Sequence, residues 1–186
     1  TLGLRHVLDV TAYDHILFLI VLTVIFSFRQ WKKVVWLLTF FTIGHTITLA
    51  LAAFGIIGIR IDIVEFLIPV TIGITGLFNI LRGTEASMGK VKISLIFSLS
   101  FGLIHGLGFS NYFKLMIGKE EDKILPLLEF ALGIEAAQII IVFAVLLLGM
   151  LMKSFFKVPK RDWILVCSAV VIGVVIPMML KEYFGK

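Results

Sequence analysis

Four histidines, His6, His15, His45 and His105, are the only imidazoles in a chain of 186 residues, and each stands near a carboxylate or inside an apolar run. Asp14 directly precedes His15. His45 sits in FTIGHTITL, Phe41 to Leu49, within a run from Val34 to Phe54 that contains no lysine or arginine. Neutral imidazole with carboxylate is a ligand set for a divalent transition metal such as nickel, cobalt, zinc or iron. A thiolate site is out of reach, because Cys167 is the one cysteine and is assigned to packing. The candidate metal ligands are therefore His15, His45, His105, Asp14, Glu65, Glu135, His6 and Glu129, with Asp9 beside the same entrance. A bound cation would compensate the carboxylates.

Each of these residues has a plainer role to set beside the chemical one. His45 and His105 could be hydrogen-bonding glue between helices, worth about 0.6 kcal/mol each in a membrane. Glu65 and Glu129 stand in first helical turns, where the helix dipole favours a carboxylate. Asp14 could cap a helix, and His6 and Asp9, at i and i+3, could form a solvated face.

The elements that must position these residues are membrane helices. Hydrophobic residues make up 60% of the chain and charged residues 16%, with a mean hydropathy of +1.09. Ordinary soluble domains have about 45 to 50% apolar and about 25% charged residues. Long continuous apolar runs select helices over a barrel. The expected fold class is all-α, a polytopic membrane helical bundle. Six transmembrane helices are expected at about 13–28, 34–55, 63–81, 93–111, 125–152 and 163–180, preceded by an N-terminal interfacial helix or cap at 1–12. The connecting segments are too short for a second domain, so 1–186 reads as a single transmembrane domain. No removable signal peptide is expected.

The net charge of +5 fits cytoplasmic loop charge in a membrane chain better than a nucleic-acid partner. The loops after spans one, three and five, with the span ends adjoining them, hold ten of the 17 lysines and arginines. Both termini are therefore expected outside the cytoplasm, in what reads as a bacterial inner membrane. In this topology all four histidines fall in the outer half, at a depth shared by Asp14, Glu65, Glu129 and Glu135. Ionisable groups at such depth are expensive unless they face a partner, water or the bundle interior.

Local spacing refines the expected site. Thr42, His45 and Thr46 share a helix face, so the hydroxyls are expected to orient the imidazole. Ser98, Gly102 and Gly106 recur every fourth residue, a pattern that lets a neighbouring backbone approach and turns His105 toward protein. Pro69 frees the carbonyl of Glu65 and is expected to bend that helix toward the site. Glu135 and Gln138 share a face, and Asn79 is either an inward polar step or helix glue.

At these residues the sequence resembles the HupE/UreJ family of membrane accessory proteins associated with hydrogenase and urease maturation, in particular its second, broadly distributed branch. The matching segments are YDHILFLIVL (Tyr13 to Leu22), FTIGHTITLALA (Phe41 to Ala52), VEFLIP (Val64 to Pro69), FGLIHGLGFS (Phe101 to Ser110) and LEFALGIEAAQ (Leu128 to Gln138). The resemblance implies six to seven membrane helices and, in the hydrogenase-associated branch, permease activity toward nickel or cobalt. It also implies an Asp-His pair, matched by Asp14 and His15, with an upstream histidine for which His6 is the candidate. The gap from His6 is about two residues longer than in the family pattern, and Ala12 stands where a glycine is usual.

Three functions follow. The first is a divalent metal permease loaded from the outer face. The second is a metal-dependent intramembrane hydrolase acting on a lipid or lipoprotein, with Asp14 or Glu135 as base on a metal-bound water. No GxSxG nucleophile motif offers a metal-free route. The third is a non-catalytic metal-stabilised membrane subunit, whose partner is another membrane protein or a second copy. The shared partners are the lipid bilayer and a metal ion.

Overall fold

The computed structural model describes residues 2–8, 13–58, 60–82, 91–117 and 123–184. Asp9 and Glu85 lie outside the described residues. Helix α1 covers Leu2–Leu8 and α2 Asp14–Thr23. A short 3-10 turn at Phe28–Gln30 leads into α3, Trp31–Ala53. Then follow α4, Ile61–Arg82, α5, Val91–Ile117, α6, Ile124–Ser154, and α7, Lys160–Phe184. Among the described residues there is no strand, as the apolar runs predict.

Among the described residues, four stretches have both the length and the apolar content to cross a bilayer: Phe28–Ala53, Ile61–Arg82, Ile124–Ser154 and Lys160–Phe184. The shortest of them has 22 residues, which at 1.5 Å per residue gives about 33 Å, enough for a hydrocarbon core of about 30 Å. Their outward faces carry exposed Leu81, Leu132, Phe143 and Val166, an apolar surface suited to lipid. The expected span 93–111 lies within α5. That helix has 27 residues, which is long enough to cross a bilayer.

The first expected span, 13–28, departs most from expectation. Helix runs only over the ten residues of α2, a rise of about 15 Å. The chain then turns, and the Ser27 backbone N–H donates to Gln30 Oε1 at 3.0 Å, which starts the 3-10 turn. Polar Ser27, Arg29 and Gln30 end the apolar run. Seven of the ten α2 residues are buried, as befits a helix apolar on all sides. It packs against α4, α6 and α7. Asn79 acts as glue here, its Nδ2 donating to the Val21 carbonyl at 2.6 Å.

The tightest helix pair is α3 with α5. Ser98 Oγ donates to the Leu37 carbonyl at 2.5 Å. One turn on, Gly102 lies against the Phe41 carbonyl, and one turn further Gly106 lies against the His45 backbone. Residue numbers rise together on both helices, so they run parallel. Gly44 returns the contact by lying against the Leu99 carbonyl. A side chain at any of these glycines would collide with backbone that cannot move aside. The α4–α7 pair is antiparallel: Gly76 lies against Ile172, Gly73 near Val175, and Phe66 near Tyr183.

Helix α1 docks on α6 through glycines on both sides, Gly3 against the Phe130 carbonyl and Gly133 against the Leu4 backbone. Lys123, just before α6, reaches back with its Nζ to the Ala53 carbonyl at 2.9 Å and closes the C-terminus of α3. The start of α6 and the end of α3 therefore share one end of the bundle. Cys167 is half-buried and packs beside Val24, Ile25 and Ile164.

Gly102→Leu is expected to destabilise the folded protein by about 1 to 3 kcal/mol through overpacking of the α3–α5 seam. Gly173→Ala, where an added Cβ meets open space, is expected to be neutral or stabilising by less than about 1 kcal/mol. Thermal unfolding of both variants in detergent reads the difference.

Candidate metal centre

Four helices each contribute one imidazole: His6 from α1, His15 from α2, His45 from α3 and His105 from α5. His15, His45 and His105 are buried, and His6 is half-buried. The ring centroids of His6 and His15 are 4.7 Å apart, and His45 stands 6.1 Å from each. One ligand nitrogen from each of these three lies within 4.8 Å of the others, so His6, His15 and His45 could hold a metal ion. Nitrogens bound to one ion at about 2.0 to 2.1 Å stand roughly 3.3 Å apart in a tetrahedral site, so ring adjustments on the order of 1 Å would close the set. His105 flanks it, its ring 5.3 Å from that of His15.

Hydrogen bonding fixes how two of the rings present themselves. His15 Nδ1 faces Asp14 Oδ1 at 3.1 Å, and the His15 backbone N–H donates to the same oxygen at 2.9 Å. His105 Nδ1 faces the Phe101 carbonyl at 2.9 Å. A carbonyl oxygen can only accept, and so can a carboxylate, so the proton sits on Nδ1 in both rings. The lone pair then sits on Nε2, which is buried without a hydrogen-bond partner in both residues. A carboxylate or carbonyl behind a histidine is the usual orienting partner of a metal-bound imidazole. Both nitrogens of His45 are likewise buried without a partner. A buried nitrogen without a partner is costly, and a metal ion or water would satisfy it.

Aromatic rings wall the cluster. Phe41 lies 5.3 Å from His105 and 6.1 Å from His45, Phe18 lies 5.3 Å from His105, and Phe109 lies 3.8 Å from His6 and stacks on Phe130 at 5.0 Å. The walls exclude bulk water and lower the local dielectric. Phe18, Phe41 and Phe109 each lie three or four residues from a histidine on their own helix. That spacing was the available signal.

The expected carboxylates are where the structure differs from the sequence. Asp14 is present, but behind His15 as its hydrogen-bond partner. Glu65 is exposed on α4, because Val64 and Ile68 take the buried face and the next residue is turned about 100° away. Pro69 is buried inside a helix that continues past it, and this leaves Glu65 where it is. Glu129 is exposed for the same reason, beside buried Phe130. Glu135 accepts from Thr39 Oγ1 at 2.6 Å, which ties α6 to α3 below the cluster.

Thr42 and Thr48 have other work than orienting His45. Thr42 Oγ1 donates to Gln138 Oε1 at 3.2 Å, and Thr48 Oγ1 donates to the carbonyls of Gly44 and His45. Thr42 is one turn below the imidazole and is taken by Gln138. The Thr39–Glu135 and Thr42–Gln138 bonds thus form a polar layer directly beneath the histidines.

Over residues 1–183 the chain matches the family described as HupE / UreJ protein. No curated protein and no solved structure matches it.

Asp14→Asn, which weakens the acceptor behind His15, is expected to lower metal affinity by about 10-fold to 100-fold while leaving the fold intact. Glu65→Gln and Glu129→Gln, at exposed positions, are expected to change it by less than about twofold. Titration of the purified variants with nickel, cobalt and zinc compares the three.

Proposed function

The chain belongs to the HupE/UreJ family, and from that premise we propose that it is a permease for a divalent transition metal of the nickel or cobalt type. The ion is cargo, received by His6, His15, His45 and His105, with Asp14 orienting His15. One observation carries this reading: imidazoles from four helices converge at one depth, with the Nε2 atoms of His15 and His105 and both nitrogens of His45 lacking a hydrogen-bond partner. Nitrogen donors of intermediate softness suit nickel, cobalt and zinc better than magnesium or calcium. Glue histidines would have spent these nitrogens on neighbouring helices.

An inward route is supported by the layer below. Thr42 with Gln138 and Thr39 with Glu135 supply oxygens one to two turns beneath His45 on the same two helices. A carboxylate at membrane depth compensates a passing cation. Positively charged loops at the opposite end from the histidines favour an orientation with both termini outside, in a bacterial inner membrane. The six-span topology is part of this proposal, with short α2 enclosed by the other helices and the whole of 1–186 acting as one membrane domain. Irregular backbone after α2 is tolerated at such depth when protein covers it.

The hydrolase reading is less well supported. It needs a carboxylate free to act as base at the metal, and Asp14 is engaged by His15 while Glu135 is engaged by Thr39. A metal-stabilised membrane subunit needs no inward polar layer.

The test is elemental analysis of gently purified protein beside a His45→Ala/His105→Ala variant, followed by metal uptake into proteoliposomes. Near-stoichiometric metal in the wild type, lost in the variant, together with uptake that disappears in parallel, is the expected result. Bound metal without uptake would favour the subunit role. Absence of metal after incubation with nickel, cobalt, zinc and iron would overturn the metal reading.

A further inference from the structure

At the other end of α3 from the histidines, α3 and α6 diverge and leave a groove of about 270 Å³. Its floor is Leu38, Val142 and Leu146, all buried, and its rim is Phe28, Trp31 and Phe143. Every residue lining it is apolar. From Trp31 to Leu38 it follows α3 for about 10 Å. It lies in two stretches long and apolar enough to span a bilayer, and it opens sideways, since Trp31 and Phe143 are both more than half exposed.

The charges at its mouth identify an occupant. Arg29, Lys32 and Lys33 are exposed around Trp31, with the Lys32 ammonium 5.7 Å above the Trp31 ring. No acidic residue occurs between Asp14 and Asp62, and none of the three cations forms an ion pair among the described residues. A tryptophan ring beside lysines marks the level of lipid headgroups. A second copy seated symmetrically on this face would bring six cations together, which disfavours it. A molecule with a long apolar tail and an anionic head matches both parts.

We propose that this groove is a binding site for one anionic phospholipid, an acyl chain lying along Leu38, Val142 and Leu146 and the phosphate against Arg29, Lys32 and Lys33. The site is independent of the histidine cluster and of whether a metal moves. Basic clusters at a membrane surface attract anionic headgroups in this way.

Native mass spectrometry of the full chain, delipidated and then titrated with phosphatidylglycerol or phosphatidylcholine of identical acyl chains, tests it. The expected result is one retained phosphatidylglycerol per chain in preference to phosphatidylcholine. Arg29→Gln/Lys32→Gln/Lys33→Gln, three exposed positions that leave the core untouched, is expected to weaken phosphatidylglycerol on the order of a hundredfold and phosphatidylcholine little. Ile139→Trp, which fills the groove from its exposed wall, is expected to reduce both. Equal retention of the two lipids by the wild type, or unchanged phosphatidylglycerol binding in either variant, would overturn the proposal. So would a disulfide cross-link from Phe143→Cys showing a second copy over the groove.

Discussion

The close approach of α3 and α5 is the constraint on which the site depends. Two helices in lipid gain nothing from hiding apolar surface from each other, so they hold together by shape, and shape here means backbone against backbone. Gly102 and Gly106 on one side and Gly44 on the other remove the side chains that would keep the axes apart, and the small Ser98 bonds across the seam to the Leu37 carbonyl. Because the helices are parallel and in register over about two turns, His45 and His105 emerge at one level from one seam. A longer residue at any of these positions would separate the two imidazoles as surely as deleting one of them.

Around that seam the other helices fill fixed places. Buried α2 delivers Asp14 and His15 together, so the orienting carboxylate travels with the ligand it orients. Helix α1 is too short to be stable alone and depends on the Gly3–Gly133 contact with α6 to bring His6 to His15. Aromatic side chains one turn from the histidines then close the sides. The result is a nitrogen-rich cluster backed by a single carboxylate, in surroundings where a nitrogen without a hydrogen-bond partner is expensive.

The buried polar residues of the bundle differ in what satisfies them, and Gln138 Nε2 and Ser168 Oγ are single atoms left without a partner away from the imidazoles. Asn79, Ser98, Thr39, Thr42 and Glu135 have protein partners and tie helices together. His15, His45 and His105 keep nitrogens that no protein group satisfies. What separates a ligand site from structural polarity is the convergence of several such nitrogens, since Gln138 and Ser168 each leave a single atom without a partner. The glutamates, chemically plausible ligands, are spent elsewhere: two face outward and one holds α3 to α6.

Much was legible in the sequence because composition and spacing act locally. Apolar run length dictated a helical membrane protein, the rarity of histidine in such runs marked His15, His45 and His105, and the four-residue spacing of Ser98, Gly102 and Gly106 marked the face that meets a neighbour. Those features depend only on the helical repeat and on the cost of polar groups in lipid. What the tertiary structure alone decided is who meets whom. Glu65 and Glu129 share the depth of the histidines, but a rotation of one residue about the helix axis turns them away. Thr42 shares a face with His45, but Gln138 from a helix nearly a hundred residues later claims its hydroxyl. Depth follows from position in a span, whereas azimuth and partner depend on how the helices rotate and pack against one another, which no local pattern encodes.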